Sequence, residues 1–371
     1  MDVNSFVIGY NKGKASGGSM KGFHKVQFFN DDRTTLLYTV FVPTGANAMY
    51  AGETPVSIVN SLYTFSGFEP APESVMTDID CFAVYTEEVI IDKLSWETIA
   101  GLSADGTAQN YLAVGDTKII HVEGTVGTLV VNGDYGVYII GFDHNEELEG
   151  KGITFGTFKS ALSNGKSLAL VDGFYNKGFV DGTIDFGFNH WGRSNRGGWS
   201  GCDMRYDVLG STDLPPQGYG AYPSGGRYGY DPTPACATSP VANTLMAAMP
   251  ADLRAVMKPM TKYTNNKGDT GNTAEKVTAS IDYLPLLAEF EINGTNVSAN
   301  QYEKNQQKQY AYYADGKSKV KYNHGAMDTS CFWWTRSVSV SSDNACMIYV
   351  DGSNLTYYAN NSVGLAPIFK V

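Results

Sequence analysis

From Lys25 onward apolar residues alternate with polar ones. Val26 and Phe28 form one run, and Leu36, Tyr38, Val40 and Val42 form the next, with Asn30-Asp31-Asp32 as the turn between them. A period of two is the signature of half-buried strands. Further apolar runs follow at Tyr63–Phe68, Val75–Ile79 and Cys81–Tyr85, then at Lys118–Val122 and Tyr138–Ile140. Gly115-Asp116 and Asn132-Gly133-Asp134 are the turn signals around those later strands. Ser95 is placed to cap a short helix opening at Trp96. Residues 200–210 predict one helix, from Ser200 to Gly210. Leu245, Met246, Met249, Leu253 and Met257 recur at helical spacing over 243–257, and Pro250 marks a break or a second helix start. Residues 281–292 are apolar enough for a strand, which Pro285 demotes to an edge or a loop. Residues 331–371 read as several short strands separated by polar turns. The pattern is α+β.

The chain divides into a leader at 1–22, a small β module at 23–87 and a larger domain at 88–371. The leader holds Phe6-Val7-Ile8-Gly9-Tyr10 and a polar stretch ending Gly17-Gly18-Ser19-Met20. It reads either as a frayed terminus or as an attachment segment that orders in an assembly. Residues 213–240 are rich in Pro, Gly and Tyr. Regular structure is not expected there, and Tyr219, Tyr222, Tyr228 and Tyr230 suggest a packed surface loop.

Composition narrows the function. The 371 residues carry a formal net charge of -11, which disfavours nucleic acid and anionic membrane as partners. No run of 18 apolar residues predicts membrane insertion. The start lacks a basic n-region, so no secretory signal is expected, and the protein is expected to be made in a cytoplasm. Five cysteines without a CxxC argue against a disulfide framework or a structural zinc site.

Catalytic motifs are not found. There is no G-x-S-x-G and no H-E-x-x-H, and Gly9-Tyr10-Asn11-Lys12-Gly13 lacks the spacing of a phosphate loop. His144 and His190 read as buried structural histidines. Asp143, Asn145 and Glu147 have the first spacings of a calcium loop. Leu148 stands where that loop needs Gly and Thr154 where it needs Glu, so a solvated turn is expected. Cys331 and Cys346 read as buried strand residues. No enzyme activity, cofactor or metal is expected.

The C-terminus is the informative region. Ser, Asn, Tyr and Asp supply 15 of residues 331–371, while Lys and Arg supply only Arg336 and Lys370. Tyr gives contact area at low entropy cost, and Ser and Asn give adaptable hydrogen bonds, as in antibody loops. Trp333-Trp334-Thr335-Arg336-Ser337 and Gly364–Phe369 flank the tract as core strands. The alternative reading is a solvated hairpin of a β-rich domain. The expected ligand face is Val338, Val340, Ser341, Ser342, Asn344, Met347, Tyr349, Ser353, Asn354, Thr356, Tyr357 and Tyr358. Ala345, Ile348 and Leu355 are expected to point inward.

Two resemblances attach to these motifs. Residues 23–87 resemble the InlB B-repeat family, through Tyr63-Thr64-Phe65-Ser66-Gly67-Phe68, Val75-Met76-Thr77-Asp78 and Ala83-Val84-Tyr85, with Phe68 where Trp is usual. That implies a β-grasp-like spacer or display module. Residues 96–371 resemble C-type-lectin-like domains of phage and bacterial proteins. The motifs are Gly197-Gly198-Trp199-Ser200-Gly201-Cys202-Asp203-Met204-Arg205, Met249-Pro250-Ala251-Asp252-Leu253-Arg254 and Trp333–Ser337. Some members are variable proteins of diversity-generating retroelements, in which adenine-templated codons at the 3′ end of the gene are rewritten. The resemblance implies a receptor-binding or tail-fibre component on a virion or a bacterial surface, with a cell-surface protein or glycan as ligand and a homotrimer as a possible assembly. A fixed bacterial adhesin is the alternative. Formylglycine-generating enzymes share the lectin-like fold, but Cys331 and Cys346 do not sit in their motif.

Overall fold

The computed structural model describes residues 21–86, 89–161, 165–190, 192–211 and 237–371. The leader to residue 20, Trp191, Cys236 and most of the 213–240 loop with its four tyrosines lie outside the described residues. The chain separates into two compact units, Met1–Ile90 and Ile91–Val371.

In the first unit, β1 (Phe23–Phe29), β2 (Leu36–Pro43), β3 (Thr64–Glu69) and β4 (Ile79–Thr86) form one sheet in the order β2-β1-β4-β3. The β1–β4 pair is parallel and the others antiparallel. The period-two face of β1 supplies the core, with Val26 and Phe28 fully buried beside Cys81. The Phe28 ring meets Tyr50 and Phe68 edge-on, at 5.4 and 4.7 Å between centroids. Asp32 closes the β1–β2 turn by accepting from the backbone amides of Thr34 and Thr35.

The second unit mixes short helices with antiparallel strands. Ser95 Oγ accepts from the Thr98 amide at 3.0 Å and caps α1 (Trp96–Ala104). Next come β5 (Thr117–Val126), β6 (Leu129–Phe142), α2 (Glu146–Glu149), β7 (Ile153–Ser160) and β8 (Leu168–Ala169). Asn132-Gly133-Asp134 is not a turn. It lies inside β6, paired with Glu123, Val122 and His121 of β5, and the connection is at Gly127. Cross-strand bonds from His121 to Asp134 (2.8 Å) and Asn132 to Glu123 (3.3 Å) satisfy the polar side chains that gave the turn signal. The expected solvated turn at 143–149 is also corrected, because Glu149 is buried and bonds to a buried lysine.

The helix expected at 200–210 is shorter: α3 spans Asp203–Asp207, and Ser200 stands in a turn before it. The 243–257 pattern splits into α4 (Leu245–Ala248) and α5 (Ala251–Val256), with Pro250 at the start of the second. Beyond them are β9 (Met260–Asn265) and β10 (Val277–Asp282), then α6 (Glu289–Asn293) and α7 (Ala311–Ala314). Thus the 281–292 run ends a strand, loops through Pro285 and enters a helix. The last elements are β11 (Lys321–Asn323), β12 (Ala326–Cys331), β13 (Trp333–Val338), β14 (Asn344–Ile348), β15 (Asn354–Tyr358) and β16 (Ile368–Lys370).

Among the described residues of this unit the strands form four sheets, ordered β16-β7-β6-β5, β13-β14-β15, β12-β11-β8 and β10-β9. Phe155 of β7 stacks on Phe369 of β16 at 5.2 Å, and Trp96 packs edge-on against both. Tyr138, Ile140, Tyr310, Trp333, Ile348 and Ile368 share one core cluster, which ties β6, β13, β14 and β16 together. The fold class is α+β. No helix among the described residues is long and apolar enough to cross a membrane.

Candidate ligand-binding face

All six residues of β13 are buried, and their polar groups are matched inside the protein. Trp333 Nε1 donates to the Lys319 carbonyl (3.0 Å) and Trp334 Nε1 to that of Phe186 (2.8 Å). Arg336 forks onto Glu291 at 2.5 and 2.8 Å and donates its Nε to Thr264 Oγ1 at 2.8 Å. Lys262 Nζ then joins Glu291 (3.1 Å), Glu149 (2.7 Å) and the Tyr310 hydroxyl (2.8 Å). Burial alone would raise the pKa of Glu291. Arg336 and Lys262 outweigh it and hold the carboxyl well below the usual carboxylate range. Charges this deep persist only as a bonded set.

His144, Glu149 and Glu291 bring donor atoms within 4.8 Å of one another, a grouping that could hold a metal. The charges argue against it. Lys262 and Arg336 already bond the two carboxylates, and Lys370 Nζ lies 3.9 Å from Glu149. A divalent ion would add positive charge to three cations facing two carboxylates. His144 stacks on Tyr310 at 3.6 Å, and burial pushes its pKa down to about 3, so the ring is neutral. This is a structural cluster.

β14 pairs with β13 on one side and β15 on the other. Ala345, Cys346, Met347 and Ile348 are buried, which leaves β15 as the outer, exposed strand. Two turns bracket the pair. Asn195 Nδ2 donates to the carbonyls of Ser339 (3.1 Å), Ser342 (3.0 Å) and Asn344 (2.9 Å). At the other end Tyr349 N donates to the Ser353 carbonyl at 2.8 Å, and Gly352, with φ +87°, makes the turn.

Across this edge lies a run of aromatic rings. Phe332 stacks on Tyr349 at 5.1 Å, contacts Tyr175 at 5.6 Å and meets Tyr357 at 6.2 Å. Tyr357 stacks on Tyr358 at 6.0 Å, and the Arg193 guanidinium sits 4.4 Å from the centre of the Tyr358 ring. The Tyr357 hydroxyl donates to Asn176 Oδ1 at 2.8 Å. Asn176 stands at φ +57°, a left-handed conformation that Asn adopts more readily than most residues. Its own amide donates to the Ser362 carbonyl at 2.7 Å. The arrangement offers ring faces, amides and hydroxyls together, which suits adaptable recognition of another surface.

Most of the expected face lies on this edge. Ser341, Ser353 and Tyr358 are exposed, and Val340, Ser342, Asn344, Tyr349, Asn354, Thr356 and Tyr357 are half-buried. Two members are corrected. Val338 is 0% and Met347 1% exposed, because Val338 pairs with Ala345 and Met347 with Trp334 inside the sheet. Leu355, expected to point inward, is 43% exposed on the outer strand. Ala345 and Ile348 do point inward, and Cys331 and Cys346 are buried free thiols. The sequence reading missed Tyr175, Asn176, Arg193 and Phe332. Phe332 directly precedes the Trp333-Trp334 motif, but nothing periodic marks the other three.

Residues 185–371 match a family described as a domain of unknown function, DUF6273, over slightly more than half of the chain. The chain belongs to the DUF6273 family. No curated protein and no solved structure matches it. The DUF6273 stretch holds every strand from β9 to β16, the Arg336–Glu291 pair and the Asn195 contacts. Tyr175 and Asn176 reach the aromatic edge from outside it.

Proposed function

We propose that this DUF6273 protein is a binding protein rather than an enzyme, and that the β14–β15 edge with its two turns is its ligand face. One observation carries the reading: an exposed aromatic and amide-bearing strand sits between two fully buried segments, 333–339 and 362–371. Buried flanks fix a backbone while outward side chains change at little cost, since surface substitutions stay within about 0.5 kcal/mol. The residues that resemble a C-type-lectin-like domain, and the Ser/Asn/Tyr composition of the tract, support a variable protein of a diversity-generating retroelement. In that reading it is a receptor-binding or tail-fibre component of a phage, made without a signal peptide, and the first unit is a β-grasp-like spacer. The ligand is a protein or glycan on a cell surface, and a homotrimer is the assembly to test.

Deep sequencing of the 3′ end of the gene across a natural population tests diversification. Substitutions should concentrate at Val340–Asp343 and Asp351–Asn361 and spare Val338, Ala345 and Met347. A 3′ end as invariant as the rest removes the retroelement and leaves a fixed surface adhesin. Replacing Tyr357 and Tyr358 together with Ala should abolish binding to the carrier's host cells while lowering the melting temperature by only a few degrees. Unimpaired binding by that variant would move the face elsewhere.

A further inference from the structure

We propose that Asp172 and Asp185 form a buried site for a hard divalent cation, Ca2+ by its chemistry, beneath the segment that positions Tyr357. Both carboxylates converge on one turn. Asp172 Oδ2 accepts from the Phe186 amide at 2.8 Å, and Asp185 Oδ1 accepts from the next amide, Gly187, also at 2.8 Å. Asp172 Oδ1 accepts from the Phe174 amide (2.9 Å) and the Ser362 hydroxyl (2.7 Å). Asp172 is 5% exposed and Asp185 0%.

No cation among the described residues balances their charge. Among the described residues neither carboxylate has a salt-bridge partner, and the one charged group that bears on Asp185 is Asp172, which repels it. The second observation is Asp185 Oδ2, which is buried and has no hydrogen-bond partner. Burial, with Asp172 adding to it, pushes the Asp185 pKa up to about 7, and the Gly187 amide opposes the rise. A proton would neutralise the Asp185 carboxyl, whereas a cation would also bond its partnerless oxygen and offset the Asp172 charge. A cation satisfies the oxygen and both charges at once.

The donors are all oxygens: two carboxylates and the adjoining Ser362 hydroxyl. Oxygen-only sets select Ca2+ or Mg2+ over zinc, and Ca2+ tolerates irregular loop geometry where Mg2+ demands an octahedron and keeps its waters. The motif that failed as a calcium loop, at Asp143–Glu149, is elsewhere. The site connects directly to the aromatic edge. Ser362 bonds Asp172 through its hydroxyl and Asn176 through its carbonyl, and Asn176 holds the Tyr357 hydroxyl. The cation site stands without the proposed ligand role; only its effect on recognition rests on that reading.

The test uses the full chain, stripped with EDTA, and CaCl2 alone as the probe. Thermal unfolding at pH 7.5 should shift upward and saturate with Ca2+, by about 5 °C or more at a hundredfold excess over Kd, and calorimetry should show one site. Asp185→Asn keeps the acceptor for the Gly187 amide and removes the charge. It should lose the Ca2+ response. If that variant does not fold, Asp172→Asn must lose the response instead. No shift and no heat with the wild type overturns the site, whatever the variants do. So does an undiminished response in a folded variant, which places the binding elsewhere.

Discussion

Strands β13 and β15 flank the same central strand, yet they meet opposite surroundings. β13 buries two tryptophans and an arginine, and every polar group named on it finds a partner inside the protein. β15 has the same length to within one residue, but it alternates half-buried and exposed positions and carries Leu355 and Tyr358 at 43% and 45% exposure. Being polar is therefore not what puts a residue on the exposed edge here. Arg336 and Ser337 are as deep as Trp333, whereas Leu355 faces out. What decides is whether a second layer covers the strand, and among the described residues β15 has none on its outer side.

This contrast can be broken most severely at Arg336. Arg336→Ala leaves Glu291 buried with half its countercharge and should cost about 3–5 kcal/mol, read by urea unfolding. The Arg336→Met, Glu291→Met double variant should recover much of that loss. A small effect of the single change would mean that water reaches the pair.

Next is a matched pair of side chains on the same face of β14 and β15, Met347 and Leu355. Met347→Ala should cost about 2–5 kcal/mol, while Leu355→Ala should stay within about 1 kcal/mol. Equal costs would show that the outer strand is covered in solution.

The pH dependence sharpens the charged side of the comparison. Burial pushes Glu303 up to about 7 from an ordinary 4.5, against bonds from the Asn265 amide and Ser337 hydroxyl and the field of Arg336. Between those values the folded state keeps a proton that the unfolded chain has released, so Glu303 makes stability fall as pH rises, by at most about 1.4 kcal/mol per unit. Glu291 acts in the opposite sense. Its lowered pKa gives stability above the ordinary carboxylate range, lost as pH falls through and below it. Glu303→Gln should therefore gain relative to wild type at pH 8 and gain little at pH 5, as read by thermal melts at both. A gain independent of pH would assign the effect to packing.

The smallest expected effect is at the edge itself. Tyr357→Phe removes one hydrogen bond, to Asn176, and should cost about 1 kcal/mol or less in unfolding experiments. A cost near that of Met347→Ala would place Tyr357 in the core and take it out of the ligand face.

Much of this organisation is legible in the residues. The alternation at Val26 and Phe28, the cap at Ser95, the break at Pro250 and the buried Trp333–Ser337 flank all follow from local pattern. What local pattern misses are pairings distant in sequence. Asn132-Gly133-Asp134 carries a strong turn signal, yet its polar groups are satisfied across the hairpin by Glu123 and His121. Glu149 sits in an acidic run and is drawn inward by Lys262, 113 residues away. Val338 and Met347 look interchangeable with their neighbours Val340 and Tyr349, because a strand's inner and outer faces are assigned only once its partners are known. Asn176 and Tyr175 reach Tyr357 and Phe332 from 181 and 157 residues away, with nothing in their own neighbourhood to announce it.

The three carbonyls gripped by Asn195 have a further consequence. A carbonyl is common to every amino acid, so the shape of the 339–344 turn is encoded by a residue that stands 144 positions before it. Form and content are thereby stored in separate stretches of the gene. Randomised codons at 341–343 would write new side chains onto an unchanged loop, which makes this turn a natural grafting point for libraries of engineered binders.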